Sequence, residues 1–226
     1  MSRPHVLIAE VTNGSAILPK LRELGWGRMF SQKPITPEMH EKWGLDNQGF
    51  LAWQETGFQR DLTIDDWCIL WDADAYEKRL AEADAALCDP FICVAPDIPG
   101  SKFSLEWTQE WLSELPRDWP WYLAVQDGMK QDEVERVIHN FAGLFLGGTD
   151  RFKQREAWRW CVLARQHQKK FHYGRAGTPK KLQHAVNIEA DSLDSSYPLW
   201  TKPRFADFAY LWLHGTGQEE FAMEGT

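Results

Sequence analysis

Tyr122-Leu123-Ala124-Val125-Gln126, Leu144-Phe145-Leu146-Gly147, Lys170-Phe171-His172-Tyr173 and Asp191-Ser192-Leu193-Asp194-Ser195 are four short runs of strand character. Longer polar segments of helical pattern separate them. Gln131–Ala142 carries Val134, Val137, Ile138 and Phe141 at helical period. Arg151–Gln168 follows the second run. Thr178–Ile188, opened by Thr178-Pro179, has the Pro-near-N-terminus start of a helix. Strands alternating with helices imply a parallel sheet with helices packed outside it.

The same alternation continues toward the N-terminus. His5–Val11, Arg28–Ser31, Trp43–Asn47 and Phe91–Pro96 read as strands. Ser15–Leu24, a single long acidic Thr63–Leu87 and Ser104–Leu115 read as helices, while Phe50–Arg60 has no clear pattern. Eight strand candidates predict an α/β chain folded as one compact (β/α)₈ (TIM) barrel domain over residues 1–226. Such a barrel needs about 200 residues at least and about 250 typically, so the loops must be short. An open doubly wound sheet is the alternative.

Composition narrows the function classes. A hydrophobic share of 43% and a charged share of 26% over 226 residues match an ordinary globular protein rather than a disordered or disulfide-built one. The longest apolar runs are of strand length and no secretory h-region opens the chain, so a cytoplasmic protein that spans no membrane is expected. Cys68, Cys88, Cys93 and Cys161 form no CxxC pair and have no histidine at zinc-ligand spacing, so reduced thiols and no metal are expected. Most of the 13 tryptophans, among them the i, i+4 pairs Trp67/Trp71 and Trp107/Trp111, read as packing residues. The net charge of −8 argues against coating nucleic acid by bulk charge, though not against a local basic face.

In a (β/α)₈ barrel the chemistry gathers at the C-terminal ends of the strands. Those ends carry Asp46-Asn47 after the third strand, Asp97 after the fourth, Gln126-Asp127 after the fifth and Gly147-Gly148 after the sixth. Gly174-Arg175 follows the seventh and Asp194 ends the eighth. Each has a structural reading too. Asp46, Asn47 and Asp97 suit turns. Gly147-Gly148 suits a tight βα turn, and Asp194 the N-cap of a final helix. Asp191 suits a pairing with a basic neighbour. His167, His172 and His184 read as surface or hydrogen-bonded core residues rather than ligands.

The ordered motifs resemble the tRNA-guanine transglycosylase family, from about Gly44 to Pro198. They are most similar to its compact branch from phages and DNA-modification systems. The strongest stretch is Gly174-Arg175-Ala176-Gly177-Thr178-Pro179-Lys180-Lys181-Leu182 followed by Ala190-Asp191-Ser192-Leu193-Asp194. It is similar to the family's Gly-x-Gly-Thr-Pro-x-x-Leu helix start and its Asp-x-x-Asp, whose second aspartate is the nucleophile. The resemblance implies a (β/α)₈ fold and exchange of guanine for a 7-deazaguanine base, such as a preQ-type base. It implies Asp194 as nucleophile. It implies Asp46, in Leu45-Asp46-Asn47-Gln48-Gly49-Phe50, as general acid and base. Asp97, Gln126, Gly147 and Gly148 are implied to bind the base. The family's Cys-x-Cys-x-x-Cys…His zinc motif has no counterpart, since no cysteine follows Cys161. That departure favours a smaller, differently docked substrate than tRNA.

The residue types suit this chemistry. A carboxylate near C1′ stabilises and then traps an oxocarbenium-like centre, and a carboxyl of tuned pKa serves the leaving and incoming bases in turn. Asp97 accepts from a purine's N1–H and amino group, while Gln126 and the Gly147-Gly148 amides donate to its carbonyl. No cofactor is needed. Residues 151–181 hold ten Lys or Arg against one acid, leaving −17 on the rest of the chain. Arg175, Lys169, Lys170, Lys180 and Lys181 are therefore expected to contact the backbone of DNA, single-stranded or with its nucleotide flipped out, beside a free 7-deazaguanine base. A tRNA-acting relative, a hydrolytic N-glycosidase or nucleoside-processing enzyme, and a non-catalytic base- or protein-binding barrel are the competing readings. The oligomeric state stays open.

Overall fold

A computed structural model describes residues 3–215. Eight strands, β1 (His5–Ala9), β2 (Gly27–Phe30), β3 (Gly44–Leu45), β4 (Ile92–Val94), β5 (Trp121–Val125), β6 (Gly143–Leu146), β7 (Lys170–Tyr173) and β8 (Ser192–Ser195), pair in sequence order. The sheet closes through β1 on β8, and all eight pairings are parallel. The fold is the (β/α)₈ barrel, not the open doubly wound sheet.

Strand alternation sorts the side chains into two layers. Leu7, Met29, Ile92, Val94, Tyr122, Ala124 and Phe145 fill the barrel interior. Their neighbours, such as Ile8, Phe30, Leu123, Leu146 and Leu193, face the helices in the larger outer core. Burying each large apolar side chain contributes roughly 1.5–3 kcal/mol. At Gly44 that interior leaves no room for a Cβ, which would collide with Met29, Ile92 and Leu7.

The helices are α1 (Leu18–Glu23), α2 (Gly49–Glu55), α3 (Ile64–Leu70), α4 (Ala73–Asp84), α5 (Ser104–Trp111), α6 (Gln131–Val137), α7 (Asp150–Gln166), α8 (Pro179–Asn187) and α9 (Lys202–His214). The unpatterned Phe50–Arg60 region forms most of α2. The long acidic helix is two. Trp71 turns extended and Asp72 starts α4 by accepting from Ala75 N. At the break Trp71 packs in a cluster with Tyr76, Trp107 and Trp111, and its indole donates to Asn47 O at 2.8 Å. An aromatic cluster thereby holds the loop after β3.

No helix joins β2 to β3. Two polar devices shape that connection instead. Arg28 is fully buried and forks onto both carboxylate oxygens of Glu41 at 2.7 and 2.6 Å. Glu10 accepts from the backbone N–H groups of Ser31, Gln32 and Lys33 at 2.7–2.9 Å. At the far end, Phe205, Phe208 and Trp212 of α9 pack around Trp26 and fix the last helix beside the start of the chain. No helix among the described residues is long and apolar enough to cross a membrane.

Candidate active site

At the C-terminal mouth of the barrel, Asp46, Asn47, Phe50, Asp97, Gln126, Gly147, Gly148, Arg175 and Asp194 line one cavity. The three acids, 148 residues apart at the extremes, are thus brought together. The strand ends put them there: Asp46 follows β3, Asp97 lies just beyond β4 and Asp194 is in β8.

Asp194 is 7% exposed. Its Oδ1 accepts from His172 Nε2 at 3.0 Å and from the backbone N–H of Arg175 at 3.0 Å. An ionised carboxylate can only accept, so Nε2 carries the hydrogen. No partner holds Oδ2 among the described residues. Burial pushes the carboxyl up, but the His172 hydrogen bond and charge, the Arg175 N–H and nearby Lys153 outweigh it, and its pKa is lowered.

His172 is fully buried, stacked on Phe145 at 4.8 Å, with Nδ1 2.8 Å from Ser192 Oγ. Sequence reading took it for a core or surface histidine. A usable signal lay in the strand register: His172 opposes Ser192, two residues before Asp194, so all three share the inward face.

The other two acids are pushed the opposite way. Asp46 rises to about 7 because burial outweighs the bond it accepts from Gln48 N at 2.8 Å, with the charges of Asp194, Asp97 and Glu10 adding to the rise. Asp97 rises to about 6 through burial, offset by hydrogen bonds from Asn47 and Gln126 and by the charge of Arg175. Asn47 is a clamp: Nδ2 donates to Asp97 Oδ1 at 2.7 Å and to Ala95 O at 2.6 Å, and Oδ1 accepts from Gly49 N at 2.8 Å.

Two expected base contacts are already engaged. The Gln126 amide nitrogen donates one of its two hydrogens to Asp97 Oδ2, and Oε1 is buried without a partner. Gly147 N–H donates to Val125 O and Phe145 O. Gly148 N–H has no such partner among the described residues. The glycines also answer a packing demand. A Cβ on Gly147 would meet the Gln126 amide, and one on Gly148, at φ +72°, would meet Asp127 and Phe152.

Arg175 closes the mouth. Its guanidinium lies 4.0 Å from the centre of the Phe50 ring and donates to Gly148 O at 2.7 Å. Its backbone sits at φ +54°, in the left-handed region that L side chains avoid, and that geometry aims its N–H at Asp194. Beneath this cover the cavity measures about 40 Å³. That is enough room for water. The Phe50–Arg175 stack forms part of the wall of this cavity.

The basic residues divide between the two ends of the barrel. Lys180 is exposed and Lys181 pairs with Asp150 at 2.7 Å, both in the first turn of α8 beside the mouth. Lys169 and Lys170 precede or open β7 and so lie at the opposite, N-terminal end. Lys169 donates to Phe141 O at 2.6 Å and Lys170 pairs with Asp191 at 2.8 Å. Both are engaged within the protein and stand at the end of the barrel away from the mouth, apart from Lys180 and Lys181. Lys153, buried beneath the site, donates to Gly174 O and supports the turn that carries Arg175.

Among the described residues, no group of three or more His, Cys, Asp or Glu side chains is arranged to hold a metal ion. The chain matches no protein-family model and, in sequence, no curated protein.

Proposed function

We propose that this chain is a transglycosylase that exchanges guanine in DNA for a 7-deazaguanine base through a covalent Asp194–glycosyl intermediate. One observation carries the reading. A buried carboxylate held ionised, Asp194, shares a pocket with a second, Asp46, whose pKa of about 7 suits proton transfer in both directions.

Asp194 Oδ2 attacks C1′ of the target nucleotide as the C1′–N9 bond breaks. The bonding pair stays with the departing guanine, which takes the proton of the Asp46 carboxyl. The incoming base returns a proton from N9 to Asp46, and N9 attacks C1′, releasing Asp194. Two inversions give net retention. Asp97 accepts from the N1–H and amino edge of the base, Gln126 Oε1 adds an acceptor, and Gly148 N–H faces the carbonyl. Arg175, swung away from Phe50, is free to meet a phosphate beside Lys180 and Lys181, while the vacated Phe50 ring stacks on the base.

Isotope-labelled guanine incubated with guanine-containing DNA tests the reading. Label entering DNA with strand length unchanged supports it. Net loss of base without incorporation means hydrolysis, and no change in the DNA means that the pocket serves binding alone.

A further inference from the structure

Arg151, Arg155 and Arg159 stand at i, i+4 and i+8 on α7, which lays them along one helix face with about 6 Å of rise between neighbours. With Arg60 they line an open cleft of about 720 Å³, and Phe152 and Trp160 also line it. The cleft begins where the pocket ends. Gln126 and Gly148 line the pocket, and the next residues, Asp127 and Thr149, line the cleft.

The carboxylates of the cleft are already engaged. Asp127 accepts from Thr149 N and Oγ1, each at 2.7 Å, and meets Arg60 at 3.8 Å. Glu156 is shared by Arg155 and Arg159, each at 3.3 Å, and Asp132 pairs with Arg136 at 3.3 Å. Arg151 is exposed and forms no hydrogen bond or ion pair among the described residues. The cleft lining thus sets four arginines against three carboxylates, a surplus of one positive charge, with Arg155 and Arg159 sharing Glu156 and Arg151 unshared, and the three arginines of α7 form an evenly spaced exposed row. Successive phosphates of an extended single strand have a similar spacing, whereas a small anion would use one arginine and leave the others idle.

We propose that this cleft carries the phosphodiester backbone of single-stranded DNA away from the pocket, with Arg151, Arg155 and Arg159 each facing one phosphate. The direction of the strand rests on the pocket being a nucleotide site. Affinity for the strand does not rest on any reaction there.

The test is fluorescence anisotropy with a guanine-free single-stranded oligodeoxynucleotide across a salt series. It compares wild type, R151E/R155E and K169E/K170E, with thermal melts to confirm folding. R151E/R155E is expected to bind at least tenfold more weakly, with the log–log salt slope reduced by about 1.4, two contacts at about 0.7 each. K169E/K170E, at the other end of the barrel, is expected to bind as wild type does. R151E/R155E binding as wild type, an equal loss in K169E/K170E, or no binding by wild type would overturn the proposal. So would tighter binding of the matching RNA, or displacement of the strand by polyglutamate at equal charge. A wild type that binds the strand through this cleft yet exchanges no guanine would count against the transglycosylase reading alone.

Discussion

His172 Nε2 stands 3.0 Å from Asp194 Oδ1 in a part of the barrel where the imidazole is wholly closed to solvent. The bond sits on Oδ1, opposite the oxygen that has no partner among the described residues. It holds the carboxylate ionised and fixes the direction in which Oδ2 points.

Replacing His172 by Ala should therefore lower turnover by about 10- to 100-fold, the weight of a hydrogen bond to a charged group. Without that donor the Asp194 pKa rises, so the acid limb of the pH–rate profile should move to higher pH. A stopped-pH rate series on both proteins reads this. Lower turnover with an unmoved acid limb would mean that His172 only packs against Phe145.

Asp46 gives a test of stability as well as rate. Its folded pKa of about 7 lies above the ordinary value of 3.8, so between these pH values the folded state binds more protons than the unfolded state. Its stabilising contribution is complete below about pH 4 and is lost as pH rises through 7. Asp46→Asn should thus be more stable than wild type at pH 8 by about 1–2 kcal/mol, discounted for partial exposure, with the gap closing toward pH 4. Exchange should fall by about 10²- to 10⁴-fold. Denaturant melts of both proteins at pH 4, 6 and 8 measure the first, and a stability advantage of the variant over wild type no larger at pH 8 than at pH 4 contradicts it.

Asn47 holds Asp97 and the turn into α2 at once. Asn47→Ala should destabilise the protein by about 1–3 kcal/mol, because it strips donors from a buried carboxyl. It should also raise the KM for the free base more than the KM for DNA. Steady-state kinetics with each substrate varied in turn separates the two, and equal rises would place Asn47 in scaffolding alone.

Arg175 spans pocket and mouth. Arg175→Gly keeps the N–H that meets Asp194, suits φ +54° and removes the stack on Phe50. It should weaken DNA binding with a salt slope smaller by about 0.7, one phosphate contact, while the KM for the free base falls as the cavity opens. A KM for the base that rises instead would mean that the guanidinium helps to hold it.

Much of the fold was legible because β/α alternation is written in local pattern. Tyr122–Gln126, Leu144–Gly147 and Lys170–Tyr173 all mark real strands to within about a residue. The break at Trp71-Asp72 was missed because the acidic, Ala-rich run continues through it. Only the tertiary pull of Tyr76, Trp107 and Trp111 on Trp71 makes the chain turn, although Asp72 is itself a helix-start residue. The acids at the mouth were legible because strand ends face one rim. His172 was not, since an inward histidine in mid-strand reads like any buried polar residue until its neighbour strand is known. Lys169 and Lys170 show what a charge count along the chain omits: the two ends of a strand open on opposite ends of a barrel, so these lysines and Lys180 stand apart.

The most direct test of the proposed chemistry is peptide-resolved mass spectrometry of protein quenched in denaturant during turnover on a guanine-containing oligodeoxynucleotide. The expected result is an adduct of one strand lacking one guanine, mapped to the peptide bearing Asp194, absent from Asp194→Asn and discharged by added base. Exchange without an adduct, or an adduct mapped to Asp46 or Asp97, would contradict the assignment of Asp194 as the nucleophile.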